Sequence, residues 1–380
     1  MKYCIKSDKI LTQGQLFDGY IEISDGTITK ITENAENCDT VLDFTGKYVL
    51  PGFVEIHTHG AGGYPFLTED ATVIAKACDY HLRHGTTTIL PTLSASEFEV
   101  MKKGVIAIKE ARDKGLSNAR IIGAHLEGPY LSPKQCGAQC PKHITEPNPD
   151  DYTALIEEYG DAVARWTYAP ERDDGSFAKY LTDRGIIASA GHTDAVGADM
   201  KRGEENGMNL VTHLYSCTST VTRNMGFRSL GVIESTFLSD GITAEIIADG
   251  KHLPVDLVKM IIKIKGTDRV IAVTDSLEIA GTDIKKGHMA GTDFIVEDGV
   301  CKLSDRSAFA GSVATSDVLL RFLTQECDVS LADAVKMICE NPAKMLGINA
   351  GKIDTGCYAD LVVLDNDLSV TDIFVGGERV

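Results

Sequence analysis

"FVEIHTHG", residues 53–60, sets two histidines two positions apart at the end of an apolar run and directly before a glycine. In a strand, residues i and i+2 face the same way, so His57 and His59 project together. Paired imidazoles on one face are costly to bury unless something binds them, and a metal ion is the usual occupant. The plain alternative is a solvated pair at a strand end. The choice depends on what kind of sheet the strand belongs to.

Seven further segments have the same apolar character. They are "TTTIL" (86–90), "RIIGAHL" (120–126), "VARWTYA" (163–169), "IIASA" (186–190), "NLVTH" (209–213), "TAEIIA" (243–248) and "RVIAVT" (269–274). Helical or loop stretches separate them, such as residues 70–84, which read as a helix stopped by Gly85. Eight strands alternating with helices predict an α/β fold of the (β/α)8 barrel type. A doubly wound open sheet would carry GxGxxG after an early strand, and none is present. The two ends of the chain differ in style. "YIEIS-DG-TITKIT" is a hairpin signal, and "ADLVVLD" and "DIFVGGERV" read as further strands. Residues 1–50 and 346–380 are therefore expected to form one small, discontinuous β-sandwich domain beside a barrel of residues 51–345.

The 380-residue chain has a net charge of -18, which disfavours nucleic acid as a partner. No apolar run reaches the ~18 residues of a membrane span, and "MKYCIKSDKI" does not read as a secretory signal. Ten cysteines without a CxxC pair suggest reduced, mostly buried thiols and a cytoplasmic protein.

The strand ends carry the chemistry. The first closes on His57 and His59, the third is followed by Glu127, the fifth by His192, the sixth ends at His213, and the eighth is followed by Asp275. In a barrel these positions converge on the C-terminal mouth, where barrel active sites lie. Any one strand-end histidine is more often structural than functional, but four histidines and two carboxylates on one rim are not expected by chance. Imidazole and carboxylate donors suit Zn²⁺ or Fe²⁺ better than Mg²⁺ or Ca²⁺. An ion with an open position polarises a carbonyl and lowers the pKa of a water to ~7, so amide hydrolysis is the natural chemistry. Asp275 is the expected proton carrier. Glu55, on the same face as His57, is a candidate support for it. His125 is expected inside the barrel beside Glu127, His81 and His84 exposed on a helix, and His288 in a polar loop without a partner.

The HxH pair, the Asp after the last strand and the closing "NPAKMLGI…GKIDTGCYADLVVLD" resemble the amidohydrolase superfamily. Within it, "AHLEGPYLSP", "GHTDA", "THLYS", "IADGKH", "VTDS" and "FAGS" are similar to the N-acetylglucosamine-6-phosphate deacetylases, nearly end to end. The resemblance implies removal of the acetyl group from a phosphosugar, with Asp275 as base and then acid. It implies two divalent ions, Zn or Fe, with Glu127 between them and His192 and His213 on the second. It implies a phosphate site at His252, beside Lys251, with Asp249 and Gly250 in the same loop. The family's phosphate Arg maps to Arg228, with Arg223 as competitor across the longer "TSTVTRNMGFR" segment. Ser216, Cys217, Phe309, Ala310 and Gly311 are implied substrate contacts. Many relatives follow a Gly-Ala pair with a carbonyl-binding His; here Gln139 follows Gly137 and Ala138, and Ala138 and Gln139 are implied substrate contacts. A homodimer is also implied. Another N-acetylhexosamine 6-phosphate, such as the galacto epimer, and a cyclic amide are the alternative substrates.

Overall fold

A computed structural model describes residues 2–35, 38–289 and 291–380. The first barrel strand, Phe53–Thr58, is buried at every residue, as a parallel strand covered on both faces must be. It pairs in parallel with the second, Thr86–Ser94. The order continues through Ala124–Glu127, Val163–Tyr168, Ile187–Ala190, Leu210–Val211 and Thr243–Ile247 to Val270–Val273. These are the eight strands expected from the apolar segments.

No continuous ladder joins the last strand to the first among the described residues. Side-chain and loop hydrogen bonds close the ring instead. Glu55, on the first strand, accepts the backbone N–H of His57 at 2.9 Å and that of Thr274 at 3.0 Å. Beyond it, Asp275 N–H donates to the His57 carbonyl at 2.9 Å, and His59 N–H to the Ser276 carbonyl at 2.7 Å. Glu55 thus supports His57 through its backbone rather than its ring. Burial pushes the Glu55 pKa up to about 7, against the N–H donors that favour its charged form.

The helix Ala71–Leu82 follows the first strand, with the Asp70 side chain capping it by accepting Thr72 N–H. Its inward face includes Ile74, Ala77, Cys78 and His81. Full burial of His81 overturns the expectation of an exposed residue. The loop from His59 to Phe66 folds back over the helix, and His81 Nε2 donates to the Gly60 carbonyl at 3.2 Å. His84 is half-buried, with Nδ1 3.3 Å from Asp317.

Strands from both termini form one hydrogen-bonded sheet of eight. Tyr48–Pro51 lies between N-terminal Lys2–Thr12 and C-terminal Leu361–Leu364. Ile5, Ile21, Ile28, Leu361 and Phe374 belong to a core of their own. The chain passes from this sheet into the barrel at Gly52, where an added Cβ would lie 2.1 Å from Thr87 Oγ1. The expectation of ten reduced thiols fails at one place. Pairing of Val41–Asp43 beside Lys2–Thr12 carries Cys38 to Cys4, Cα to Cα 5.8 Å, and the two are disulfide-bonded. The other eight are free.

Three sheets were not foreseen among the described residues. Two are two-stranded, Gly60–Ala61 with Tyr64–Pro65 and Thr222–Asn224 with Phe227–Ser229. The third is larger. After the eighth barrel strand, Lys286–Met289, Thr292–Glu297, Val300–Leu303 and Phe309–Gly311 form a four-stranded antiparallel sheet. His288 lies on its first strand, with Nδ1 2.7 Å from Asp293, rather than in an unpaired loop. The last strand brings Phe309–Gly311 to the barrel mouth. No helix among the described residues is long and apolar enough to cross a membrane.

Candidate metal centre

The strand-end residues meet at the mouth of the barrel. Glu127 is their centre. Its Oε1 lies 3.0 Å from His213 Nε2, 3.1 Å from His192 Nε2 and 3.4 Å from His57 Nε2. Its Oε2 lies 3.2 Å from His59 Nε2. Asp275 Oδ1 is 3.3 Å from His59 Nε2 and 3.5 Å from His57 Nε2. All six side chains are buried or nearly so.

The backbone turns hard to achieve this. His192, His213 and Asp275 have φ of 48°, 28° and 46°, a region that non-glycine residues seldom occupy. Each such residue costs on the order of 1 kcal/mol, and strain of this kind clusters at functional sites. Here it turns side chains at three strand ends back toward one point.

Each ring is held at its far nitrogen. His59 Nδ1 lies 2.9 Å from Ser94 Oγ, His192 Nδ1 2.9 Å from the Gln135 carbonyl, His213 Nδ1 3.1 Å from the Ser216 carbonyl, and His57 Nδ1 2.8 Å from Glu245 Oε1. An Nδ1–H that donates to a carbonyl or carboxylate leaves the Nε2 lone pair facing inward, as metal-binding histidines do.

Two observations test whether a divalent ion fits. His57 Nε2 is buried with no hydrogen-bond partner among the described residues, although it faces the cluster. The cluster also draws positive charge. Burial opposes protonation of His57, yet Glu127, Asp275 and Glu245 outweigh it and raise its pKa to about 10. Burial likewise opposes protonation of His59, but Asp275 and Glu127 raise it to about 9. A divalent cation satisfies the same field. Ligand atoms of His57, Glu127 and His213 lie within 4.8 Å of one another, as do those of His57, His59 and Asp275. These two overlapping sets and the orphaned nitrogen fit metal binding.

A cavity of about 260 Å³ opens above the cluster, with His59, Glu127, His192, His213 and Asp275 in its floor. Ala138, Gln139, Ser216 and Cys217 form one wall, and His252, Phe309, Ala310 and Gly311 the other. Gln139 lines the cavity and also reaches Glu127. Its Oε1 accepts Ala95 N–H at 2.9 Å, which fixes the amide's orientation, and its Nε2 donates to Glu127 Oε2 at 2.6 Å. The carboxamide braces Glu127, and one amide hydrogen is left for a ligand. The Ser216 carbonyl lies 3.1 Å from His213 Nδ1. Gly137 has φ of 56°, and an added Cβ there would lie 2.4 Å from Cys217 Sγ, so this wall closes only with glycine.

Not every expected residue reaches the cavity. Asp249, Gly250 and Lys251 do not line it, and Lys251 is exposed. Asp249 instead organises the loop: one oxygen accepts N–H from Lys251 and His252, and the other lies 2.8 Å from His252 Nδ1. Arg223 and Arg228 sit opposite each other on an exposed hairpin, Thr222–Asn224 with Phe227–Ser229, and neither lines the cavity. Glu245 and Arg165 were overlooked. Their signal was a charged residue in the middle of an apolar strand, in "TAEIIA" and "VARWTYA". His125 lies inside the barrel as expected, between Thr92 Oγ1 at 3.0 Å and Thr167 Oγ1 at 2.7 Å.

The Amidohydrolase family profile matches residues 48–380. The N-acetylglucosamine-6-phosphate deacetylase of Bacillus subtilis is 30% identical over 96% of this chain and 94% of its own. An N-acetylgalactosamine-6-phosphate deacetylase of Shewanella sp. (strain ANA-3) is 31% identical over 97% and 94%. Among solved structures, a mutant N-acetyl-D-glucosamine-6-phosphate deacetylase from Mycobacterium smegmatis, in complex with N-acetyl-D-glucosamine-6-phosphate, superimposes with a TM-score of 0.91. It shares 29% identity, covering 100% of this chain and 99% of that one.

Proposed function

The chain belongs to the amidohydrolase family, and from that premise we propose that it hydrolyses the amide of N-acetylglucosamine 6-phosphate, giving glucosamine 6-phosphate and acetate. The observation that carries this reading is the convergence of four histidine Nε2 atoms on Glu127, beside Asp275, in the floor of the cavity.

His57 and His59 with Glu127 would hold one divalent ion, Zn or Fe, and Glu127 with His192 and His213 a second; Glu127 Oε2 faces His59, and its Oε1 faces His192 and His213. When bound, the ions supply the Lewis acidity that activates water and polarises the acetyl carbonyl. Asp275 moves the protons. Burial raises its pKa, but His57 and His59 outweigh that and keep it below the usual value, so it starts as a base. It takes a proton from the attacking water and returns it to the leaving nitrogen. Gln139 keeps Glu127 in orientation. Ser216 and Cys217 line the sugar site on one side, and Phe309, Ala310 and Gly311 on the other.

His252, held by Asp249 and ringed by Phe309 at 5.0 Å, is the phosphate donor that this chain offers its own cavity. Arg228 reaches the cavity of a second copy in a homodimer. Two observations support this. The arginine lies away from its own chain's cavity, and the tip of its hairpin exposes Met225 at 89% and Phe227 at 79%. Apolar side chains that far out suit an interface. The galacto epimer is the second reading, favoured by the Shewanella relative. Acetate release across N-acetylglucosamine, N-acetylgalactosamine and their 6-phosphates tests the proposal. It predicts turnover of the gluco 6-phosphate above the rest; no release from any of the four sinks it.

A further inference from the structure

Three of the four converging histidines are held at Nδ1 by neutral acceptors, Ser94 Oγ and the carbonyls of Gln135 and Ser216. His57 is different. Its Nδ1 meets the carboxylate of Glu245, fully buried on the seventh barrel strand. The same Oε1 accepts the backbone N–H of His213 at 3.1 Å. One carboxylate oxygen therefore fixes the ring of one ligand and the backbone of another. The other oxygen pairs with Arg165, fully buried on the fourth strand. Arg165 also donates to the Ile56 carbonyl at 3.1 Å, Ser189 Oγ at 3.2 Å and Thr212 Oγ1 at 2.9 Å. The pair thus grips the peptide before His57 as well as its ring.

A buried ion pair gives little net stability over apolar residues of the same size, so its presence in a barrel interior calls for another reason. A carboxylate on Nδ1 fixes the imidazole tautomer and makes Nε2 a stronger donor. Arg165 cancels the added charge, which matters beside Glu127 and Asp275. We infer that Glu245 is the positioning residue that sets metal affinity at the subsite built on His57, with Arg165 as its counter-charge. The inference rests on the two-ion reading above.

The test is a Co²⁺ titration of metal-free protein, followed by visible absorption and by bound metal after desalting. Wild type, Glu245→Gln, the neutral double variant Arg165→Gln/Glu245→Gln, and His57→Asn/His59→Asn are compared. Wild type should take two equivalents. Both Glu245 variants should keep one and bind the other about 10–100-fold more weakly, losing the spectral component that His57→Asn/His59→Asn lacks. The double variant guards against the single variant failing to fold around an unpaired Arg165. Two equivalents in wild type and unchanged affinity in the double variant would mean that Glu245 serves only to neutralise Arg165, and that overturns the inference alone. One equivalent in wild type overturns the two-ion reading and the inference with it.

Discussion

Asp275 combines a left-handed backbone, contact distance to two histidines and a place in the cavity floor. Asp275→Asn keeps the shape and removes the proton carrier. Turnover should fall by roughly 10²–10⁴-fold with metal content nearly unchanged. Near-normal turnover by the variant would reassign the base. His81 gives a different residue-scale prediction. Its Nε2 hydrogen faces both the Gly60 carbonyl and Thr58 Oγ1, and its Nδ1 is buried with no partner among the described residues. Burial therefore lowers its pKa from 6.5 to about 4. In the unfolded chain it takes a proton near pH 6.5; in the folded chain it does not until about pH 4. The unfolded state binds more protons in that window, so stability falls as the pH drops through it, by up to about 3 kcal/mol. Melting temperatures from pH 7 to 4.5 should fall more steeply in wild type than in His81→Gln, which can still donate to Gly60. Parallel slopes would exclude His81 as the cause.

The first barrel strand is the element on which the metal reading turns, because it and the residue just beyond it supply two of the four histidines, His57 and His59. Fully loaded protein should carry close to two Zn²⁺ or Fe²⁺ per chain, falling toward one in His57→Asn/His59→Asn, by elemental analysis. At most one ion in loaded wild type would leave only a mononuclear centre. At this scale much of the structure was legible in the sequence. A parallel strand is buried on both faces, so "RVIAVT" or "TTTIL" stands out as an apolar run, and the residue just beyond each run is automatically at the rim. That is why His192 and Asp275 stand out although they lie 135 and 218 positions from His57. What was not legible depends on packing between distant elements. His81 was read as exposed because the loop that covers it lies outside its helix. The Glu245–Arg165 pair joins two strands that are far apart in sequence. The four-stranded sheet after the barrel had a signal that went unread, the Asp298-Gly299 turn inside "DFIVEDGVCKL".

For the molecule as a whole, the difficulty is charge. A protein of net charge -18 repels a phosphosugar, so a few local donors must overcome that field. His252 stands at the cavity wall, while Arg228 lies on a hairpin that leaves its own cavity behind. In the proposed homodimer a second copy of the chain would resolve this, covering the exposed Met225 and Phe227 and bringing the arginine to its neighbour's site. Charge-assisted hydrogen bonds are worth roughly 1.5–3 kcal/mol each. Arg228→Ala or His252→Ala should therefore lower kcat/KM for the 6-phosphate by about 10–100-fold and hardly change it for the unphosphorylated sugar. If Arg223→Ala has that effect and Arg228→Ala does not, the roles of the facing arginines are exchanged. Mixing the two impaired variants then separates the geometries. If the arginine acts on its neighbour, a mixed dimer has one site with both donors, His252 from the Arg228→Ala chain and Arg228 from the other. Activity should return after subunit exchange, which sedimentation of differently tagged chains would follow. If both donors serve their own chain, every site in the mixture lacks one of them. Proven exchange without recovery would therefore rule out the shared site, and a wild-type protein that sediments as a monomer would do so before any mixing.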